Sequence, residues 1–175
     1  PHLNIKGDIE CKTCENDGFK TNAFPMYFCR ICGHEFYSVL IMDNYVIPRT
    51  FDTEEVGELA YLTPSTKENE KCMPPESWYD DKGKIRKGYK NSKPEIIEYC
   101  PRCNVINSQC SCSEKLDVWK IPYPFQLCPS CNTFYTKRTG EYGKLFSFNS
   151  TGRSSATDVL TIEVLKKLNK DQKKV

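Results

Sequence analysis

The sequence predicts a small α+β fold, mostly β, in which two cysteine-rich modules precede one C-terminal amphipathic helix. Three observations predict it: the spacing of the cysteines, short β-prone runs beside them, and a helical apolar face near the C-terminus. The chain has 175 residues and 11 cysteines. Most of these cysteines fall into C-x-x-C pairs, which are Cys11/Cys14, Cys29/Cys32, Cys100/Cys103 and Cys128/Cys131.

Two C-x-x-C pairs joined by a short stretch of chain are typical of a tetrahedral four-thiolate zinc site. We therefore predict one zinc-ribbon-like module in residues 1–47, from the first two pairs, and a second in residues 96–150, from the last two. Two Zn²⁺ ions are the expected cofactors. Gly33, Asn104 and Asn132 each follow a pair, where a turn requires a residue that tolerates positive φ.

Other cysteine groupings are open to the same sequence. In the main alternative, Cys110 and Cys112 form a compact site with Cys100/Cys103. That alternative leaves Cys128/Cys131 short of partners unless Cys72 and another group join them. The matching C-P-x-C-N knuckles favour the first pairing, with Cys110 and Cys112 as possible extra ligands of a third ion. His34 follows a knuckle, but four cysteines already complete that site. Redox dithiols are a further alternative, although no thioredoxin-like βαβ pattern surrounds the pairs.

Composition supports a metal-dependent fold. The hydrophobic fraction of 38% includes the cysteines, so the residues left for a core are few. Structural zinc contributes roughly 10–16 kcal/mol of apparent binding free energy in small peptides, comparable to the stability of a whole domain. Eight thiolates and two zinc ions would change the formal net charge of +2 to about −2. Only local basic patches can therefore indicate a nucleic-acid partner.

The cysteine pattern also indicates a compartment. Knuckle cysteines usually bind metal, and the cysteine number is odd, so a reducing cytoplasm is expected rather than a secreted disulfide framework. No apolar run is long enough to span a bilayer, and we expect no membrane partner. The chain begins at Pro1, and we interpret it as a piece of a longer protein.

Four segments are predicted along the chain. The first module contains β-prone stretches at residues 23–28 and 35–43. Residues 48–95 form a polar connector punctuated by prolines, with a turn at residues 80–83 between short strands at Trp78/Tyr79 and Ile85. The second module ends in an alternating strand signal at residues 145–148. In residues 151–175 apolar residues recur with helical spacing after a serine cap, which predicts the amphipathic helix.

The connector contains the best candidate for a nucleic-acid contact. Cations can follow phosphates, and aromatic faces can stack on bases, so interleaved basic and aromatic residues favour a strand-binding edge. A solvated surface hairpin explains the same residues equally simply. The candidate residues are Trp78, Tyr79, Lys82, Lys84, Arg86, Lys87, Tyr89 and Lys90, with Lys93 beyond them.

No motif indicates catalysis. Catalytic zinc needs an open coordination position and a nearby general base, and the zinc-deaminase signature is absent. Phosphate-binding and serine-hydrolase motifs are absent as well. We therefore expect no enzymatic activity from this fragment.

Several segments resemble large bacterial DEAD/DEAH-box (superfamily 2) helicases, in which a cysteine-rich region lies between the two motor lobes. The resemblance covers residues 148–161, Pro1-His2 with the first C-x-x-C pair, residues 56–64 and 76–85, and the C-P-x-C knuckles. It implies a zinc-binding insertion of an ATP-dependent helicase that handles DNA or RNA, with the motor lobes of the parent chain as partners. The ATP-binding motifs would lie outside these residues. Most knuckles of the family end in Gly, whereas Asn104 and Asn132 stand here.

The sequence thus predicts a structural zinc-binding accessory domain that assists nucleic-acid binding. The alternative is a zinc-ribbon module for protein–protein interaction without nucleic-acid contact.

Overall fold

The computed structural model describes residues 9–16, 18, 21–49, 56–66, 72–107 and 110–147. Contacts divide the chain into two units, residues 1–145 and residues 146–175. The predicted C-terminal helix at 151–175 lies outside the described residues. In the described part of the chain, no helix is long and apolar enough to cross a membrane.

Antiparallel β structure dominates the first unit. Two short helices accompany the strands, α1 at Lys12–Asn16 and α2 at Glu141–Lys144. The 3-10 turns are Glu76–Trp78 and Lys87–Tyr89. The strands are β1 Met26–Cys29, β2 Glu35–Met42, β3 Tyr45–Pro48, β4 Glu58–Pro64, β5 Glu95–Cys100, β6 Val105–Ile106, β7 Leu116–Pro122 and β8 Leu145–Phe146. This confirms the predicted class, a small and mostly β member of the α+β group.

The strand pairing closes on itself. The sheet follows the order β3-β6-β5-β7-β4-β2, and β2 also pairs with β3, so these six strands form a small antiparallel barrel. Closure is possible because β2 pairs with β4 along one edge, while two other strands share its opposite edge. Its first residues, around Phe36, pair with β1, and residues from Val39 onward pair with β3. A closed barrel leaves no long unpaired edge among these strands.

One apolar cluster fills the barrel. Side chains alternate across a strand, so every second residue of the barrel strands points to the same face. The cluster consists of Val39, Ile41, Val46, Ala60, Leu62, Ile97, Tyr99, Ile106 and Val118, with Phe24 packed against it. Lys120, on β7, forms ion pairs with Glu58 at 3.0 Å and Glu95 at 2.8 Å.

A second cluster packs on the other face of β2, β4 and β7. Phe125 lies at its centre, with ring centroids 4.9 Å from Phe36 and 5.7 Å from Tyr61, both edge-on. Cys29 and Cys128 belong to the same cluster. The residues after β7 are therefore held against the turn between β1 and β2.

The structure extends the predicted organisation. The β-prone stretch at 23–28 overlaps β1, the stretch at 35–43 contains β2, and the 145–148 signal contains β8. The predicted turn is confirmed, because Tyr79 pairs with Ile85 and Gly83 has φ of 72°. The connector also supplies β4, which joins strands from both predicted modules in one sheet.

Candidate metal centres

Two knuckles share one backbone geometry. In the first, the Gly33 N–H donates to the Cys29 carbonyl at 2.9 Å, and the Cys29 N–H donates to the His34 carbonyl at 2.9 Å. In the second, the Asn132 N–H donates to the Cys128 carbonyl at 2.9 Å. Gly33 and Asn132 have φ of 72° and 56°. The prediction of positive φ after these two pairs is thereby confirmed, and Asn104 agrees with φ of 55°.

The two knuckles face each other and form the first centre. The Sγ atoms of Cys29 and Cys131 are 3.9 Å apart, and those of Cys32 and Cys128 are 3.7 Å apart. All four sulfurs lie within 4.8 Å of one another. A tetrahedral zinc ion with Zn–S bonds of about 2.3 Å separates its sulfur ligands by about 3.8 Å. The observed separations fit such an ion and are too long for disulfide bonds.

This grouping differs from the predicted one. Chain spacing predicts that Cys29/Cys32 join Cys11/Cys14, whereas in the structure they join Cys128/Cys131. The physical reason is the second apolar cluster, because burial of Phe125 against Phe36 brings the residue 128 knuckle to the β1–β2 turn. The spacing of the cysteines along the chain does not indicate that contact.

The second centre is the alternative that the sequence left open. Cys100 and Cys103 group with Cys110 and Cys112, and all four sulfurs lie within 4.8 Å of one another. The Sγ atoms of Cys103 and Cys112 are 3.4 Å apart. The centre is local, since Cys100 ends β5, Cys103 lies in the turn to β6, and Cys110 and Cys112 precede β7. The predicted pairing of Cys100/Cys103 with Cys128/Cys131 is therefore wrong.

The two groups account for eight cysteines, and each can hold one metal ion. In the first, a hydrogen bond with Cys128 is the main cause that lowers the pKa of Cys29 to about 4. The same hydrogen bond, followed by burial, raises the pKa of Cys128. In the second, hydrogen bonding to Cys112 raises the pKa of Cys103 to about 12. Four sulfurs this close cannot all ionise without a cation, and a divalent metal bound among them would supply that charge.

Neighbouring groups orient the first centre. The Thr133 Oγ1 atom is 3.1 Å from the Cys131 Sγ, and the Tyr135 hydroxyl is 3.8 Å from the Cys29 Sγ. Hydrogen bonds of this kind to ligand atoms fix their direction and tune the metal. His34 has a different partner, because its Nε2 atom is 2.9 Å from the Thr63 hydroxyl.

Helix α2 braces the first knuckle from the side. The Lys144 carbonyl accepts the Arg30 N–H at 3.0 Å, and the Tyr142 carbonyl accepts the Arg30 Nε at 2.6 Å. The helix is itself anchored, because the Glu141 carboxylate accepts hydrogen bonds from the Tyr61 hydroxyl and the Lys144 ammonium, both at 2.8 Å. Lys144 is fully buried. No pattern in the sequence indicated this network.

Three cysteines lie outside both centres. Cys11 precedes α1 and Cys14 lies within it, and both are half-buried. Among the described residues, neither belongs to a group of metal-ligating side chains. Cys72 packs against the second apolar cluster, and burial raises its pKa to about 11.

The basic and aromatic residues 78–93 of the connector, here called the basic segment, differ in burial. Trp78 is completely buried and stacks on Tyr89, with ring centroids 4.9 Å apart and planes 8° apart. The predicted role of Trp78 as a base-stacking side chain is therefore wrong for this conformation, because the fold uses its ring as core. Tyr79 and Tyr89 are half-buried. The exposed members are Lys82, Lys84, Arg86, Lys87, Lys90 and Lys93.

Comparisons with family models, with curated proteins and with solved structures find no match to this chain.

Proposed function

We propose that this chain is a structural accessory module in which two zinc ions, each held by four cysteines, fix the loops of a small β-barrel. The observation that carries the proposal is the convergence of eight cysteines into two compact groups. Zinc fits the donor set best, since four thiolates in a tetrahedral arrangement are typical of structural zinc.

A structural role follows from the number of ligands. Catalytic zinc keeps a coordination position open for water or substrate, whereas four cysteine ligands complete the shell. Cys29 and Cys128 are also fully buried, so water has little access to that side of the first centre. The proposal therefore includes no reaction at either metal.

The partner that we propose is nucleic acid. The support is the exposed basic segment after Trp78, together with the resemblance of the chain to the cysteine-rich region of DEAD/DEAH-box helicases. In that setting the module would extend the nucleic-acid channel of a longer protein that carries the motor. The alternative is a protein–protein interaction module, for which the exposed side chains of Tyr45, Met73 and Tyr142 are the candidate contacts.

Metal counting tests the structural half of the proposal. Native mass spectrometry of protein purified under reducing conditions should find two zinc ions per chain. Chelation should then abolish the far-ultraviolet β signal and the cooperative melting transition, because the ions hold the loops. A protein that keeps its spectrum and its melting temperature after both ions are removed would contradict the proposal.

Charge reversal tests the nucleic-acid half. The Lys84→Glu/Arg86→Glu/Lys87→Glu variant should lose salt-sensitive DNA binding while it retains both zinc ions. A control for charge reversal as such is Lys12→Glu, at an exposed lysine outside the segment. Binding that is unchanged in the triple variant would favour the protein–protein alternative.

A further inference from the structure

A second basic segment joins the first in space. The Lys137 ammonium donates a hydrogen bond to the Gly88 carbonyl, although 49 positions separate the two residues. The same ammonium lies 5.8 Å from the ring centroid of Tyr89. An open groove results, lined by Gly88, Tyr89, Thr136, Lys137 and Arg138. No pattern in the sequence indicated that residues 136–138 lie beside the connector.

The positive charge is concentrated beside this groove. Residues 76–84 contain Glu76, Asp80 and Asp81 against Lys82 and Lys84, so the acidic residues of that stretch outnumber the basic ones by one. Residues 86–93 contain Arg86, Lys87, Lys90 and Lys93 and no acidic residue. Lys137 and Arg138 add two more cations at its side.

Few of these charges are neutralised within the protein. Among the described residues, the ion pairs of the structure engage Lys115, Lys120 and Lys144 and none of the cations of residues 86–93 or 137–138. Lys90 and Lys93 line a neighbouring cleft with Glu95. The Glu95 carboxylate forms its ion pair with Lys120, at 2.8 Å, and not with these two lysines. A polyanion is therefore the partner that complements this surface.

The aromatic rings beside the groove are already in contact with other side chains of the protein. Trp78 lies against one face of Tyr89, and the Lys137 ammonium approaches the same tyrosine ring. Proteins that bind single strands without sequence preference use open aromatic faces on which bases stack. Without such a platform at Trp78 and Tyr89, recognition depends on phosphates.

We propose that the groove between residues 86–93 and residues 136–138 binds the phosphodiester backbone of duplex DNA without reading its bases. This inference rests on the proposed nucleic-acid role and deepens it by naming the surface and the form of the partner. Lys137 and Arg138 contact phosphates on one side of the groove, and Lys87 and Lys90 contact them on the other. The stacked Trp78–Tyr89 pair holds the Lys87–Tyr89 turn in place.

Fluorescence anisotropy on the zinc-loaded full chain tests the proposal. The probes are two 20-base-pair duplexes of unrelated sequence and their separated strands, titrated between 50 and 200 mM salt. The affinity should fall linearly on a log–log plot, by a slope of about 0.9 per phosphate contact in B-form DNA. Both duplexes should bind equally and more tightly than either single strand.

The decisive variant is Lys137→Ala/Arg138→Ala. It should weaken duplex binding several-fold and reduce the salt slope by about one to two. The matched control is Lys12→Ala/Lys115→Ala, which removes the same charge outside the groove and should leave the slope unchanged. Zinc stoichiometry and the far-ultraviolet spectrum verify that each variant is folded.

The other outcomes separate this inference from the proposed function. If the Lys84/Arg86/Lys87 reversal abolishes binding and Lys137→Ala/Arg138→Ala does not alter it, the groove is wrong and the nucleic-acid role stands. Tighter binding of single strands, lost on Tyr79→Ala, would overturn the choice of duplex. A zinc-loaded protein that binds no DNA would overturn the duplex inference, and one that binds no RNA either would overturn the nucleic-acid role as well. Both outcomes leave the metal proposal intact.

Discussion

The sulfurs of Cys32 and Cys128 lie 3.7 Å apart although 96 positions separate the two residues. A metal ion bound between them would close a loop that contains every barrel strand from β2 to β7. Closing a long loop removes conformational entropy from the unfolded chain, in the same way as a disulfide of that span. With a metal bound, the first centre would therefore be a long-range crosslink of the fold, whereas the second, between residues 100 and 112, would be local.

Removal of cysteine pairs should reveal the grouping directly. The Cys128→Ser/Cys131→Ser variant should retain one zinc ion of two, because the first centre loses half of its ligands. The Cys11→Ser/Cys14→Ser variant should retain both. Native mass spectrometry measures each count. Loss of an ion from the Cys11/Cys14 variant would instead restore the pairing that chain spacing predicts.

The two centres should release metal at different rates. In the first centre Cys29 and Cys128 are fully buried, although Cys32 is exposed. In the second centre Cys100 alone is buried, and Cys103 is exposed on the turn after β5. Chelator titration with a colorimetric zinc indicator should therefore show a fast phase and a slow phase of equal amplitude. Cys110→Ser/Cys112→Ser should remove the fast phase. Loss of the slow phase in that variant would reverse the assignment.

Neutralising Glu141 should destabilise the fold strongly. Glu141→Gln leaves the fully buried Lys144 ammonium without its charged partner, which typically costs about 3–5 kcal/mol. Urea unfolding of the zinc-saturated protein measures the change in the free energy of unfolding. Glu98→Gln is the control, since the Lys115–Glu98 pair at 2.7 Å is partly exposed and should contribute little to the free energy of unfolding. Equal effects of the two substitutions would rule out a special role of the buried pair.

Gly57 should tolerate no side chain. Its φ is 143°, and a Cβ atom placed there would lie 2.7 Å from the Ile41 carbonyl oxygen on β2. Gly57→Ala should therefore lower the free energy of unfolding by about 1–3 kcal/mol. Gly88→Ala is the comparison, because its Cβ would meet nothing within 4 Å. Thermal melting distinguishes them, and similar melting temperatures would show that β2 can move away.

The thiol of Cys72 should react slowly below pH 11. Burial disfavours the thiolate and raises the pKa from 9.0 to about 11, so alkylation at pH 8 should be roughly a hundredfold slower than in the urea-unfolded chain. Because the unfolded thiol ionises first, the stability contributed by the neutral buried thiol is present below pH 9 and is lost as pH rises to 11. Mass spectrometry after iodoacetamide treatment follows the reaction. Equal rates in the folded and unfolded chains would show that the thiol is open to solvent.

Much of the local structure could be predicted from the sequence. The aromatic and β-branched runs predicted β1 and β2, because such side chains suit a pleated, half-buried surface. The residues after the knuckles predicted positive φ at Gly33, Asn104 and Asn132, because few side chains tolerate that conformation. The turn after Trp78 could be predicted for the same reason. Each of these depends on forces that act within a few positions of the chain.

What the sequence by itself determined is the chemistry: cysteine knuckles of the kind that bind zinc, in a mostly β chain with few apolar residues. Tertiary structure decided which knuckles meet, that six strands close into a barrel, and that Trp78 is buried while Lys137 joins the basic segment. The physical reason is that these outcomes depend on side chains distant in sequence packing together, as Phe125 does against Phe36. Such contacts are selected by the free energy of the whole core and leave no fixed spacing along the chain.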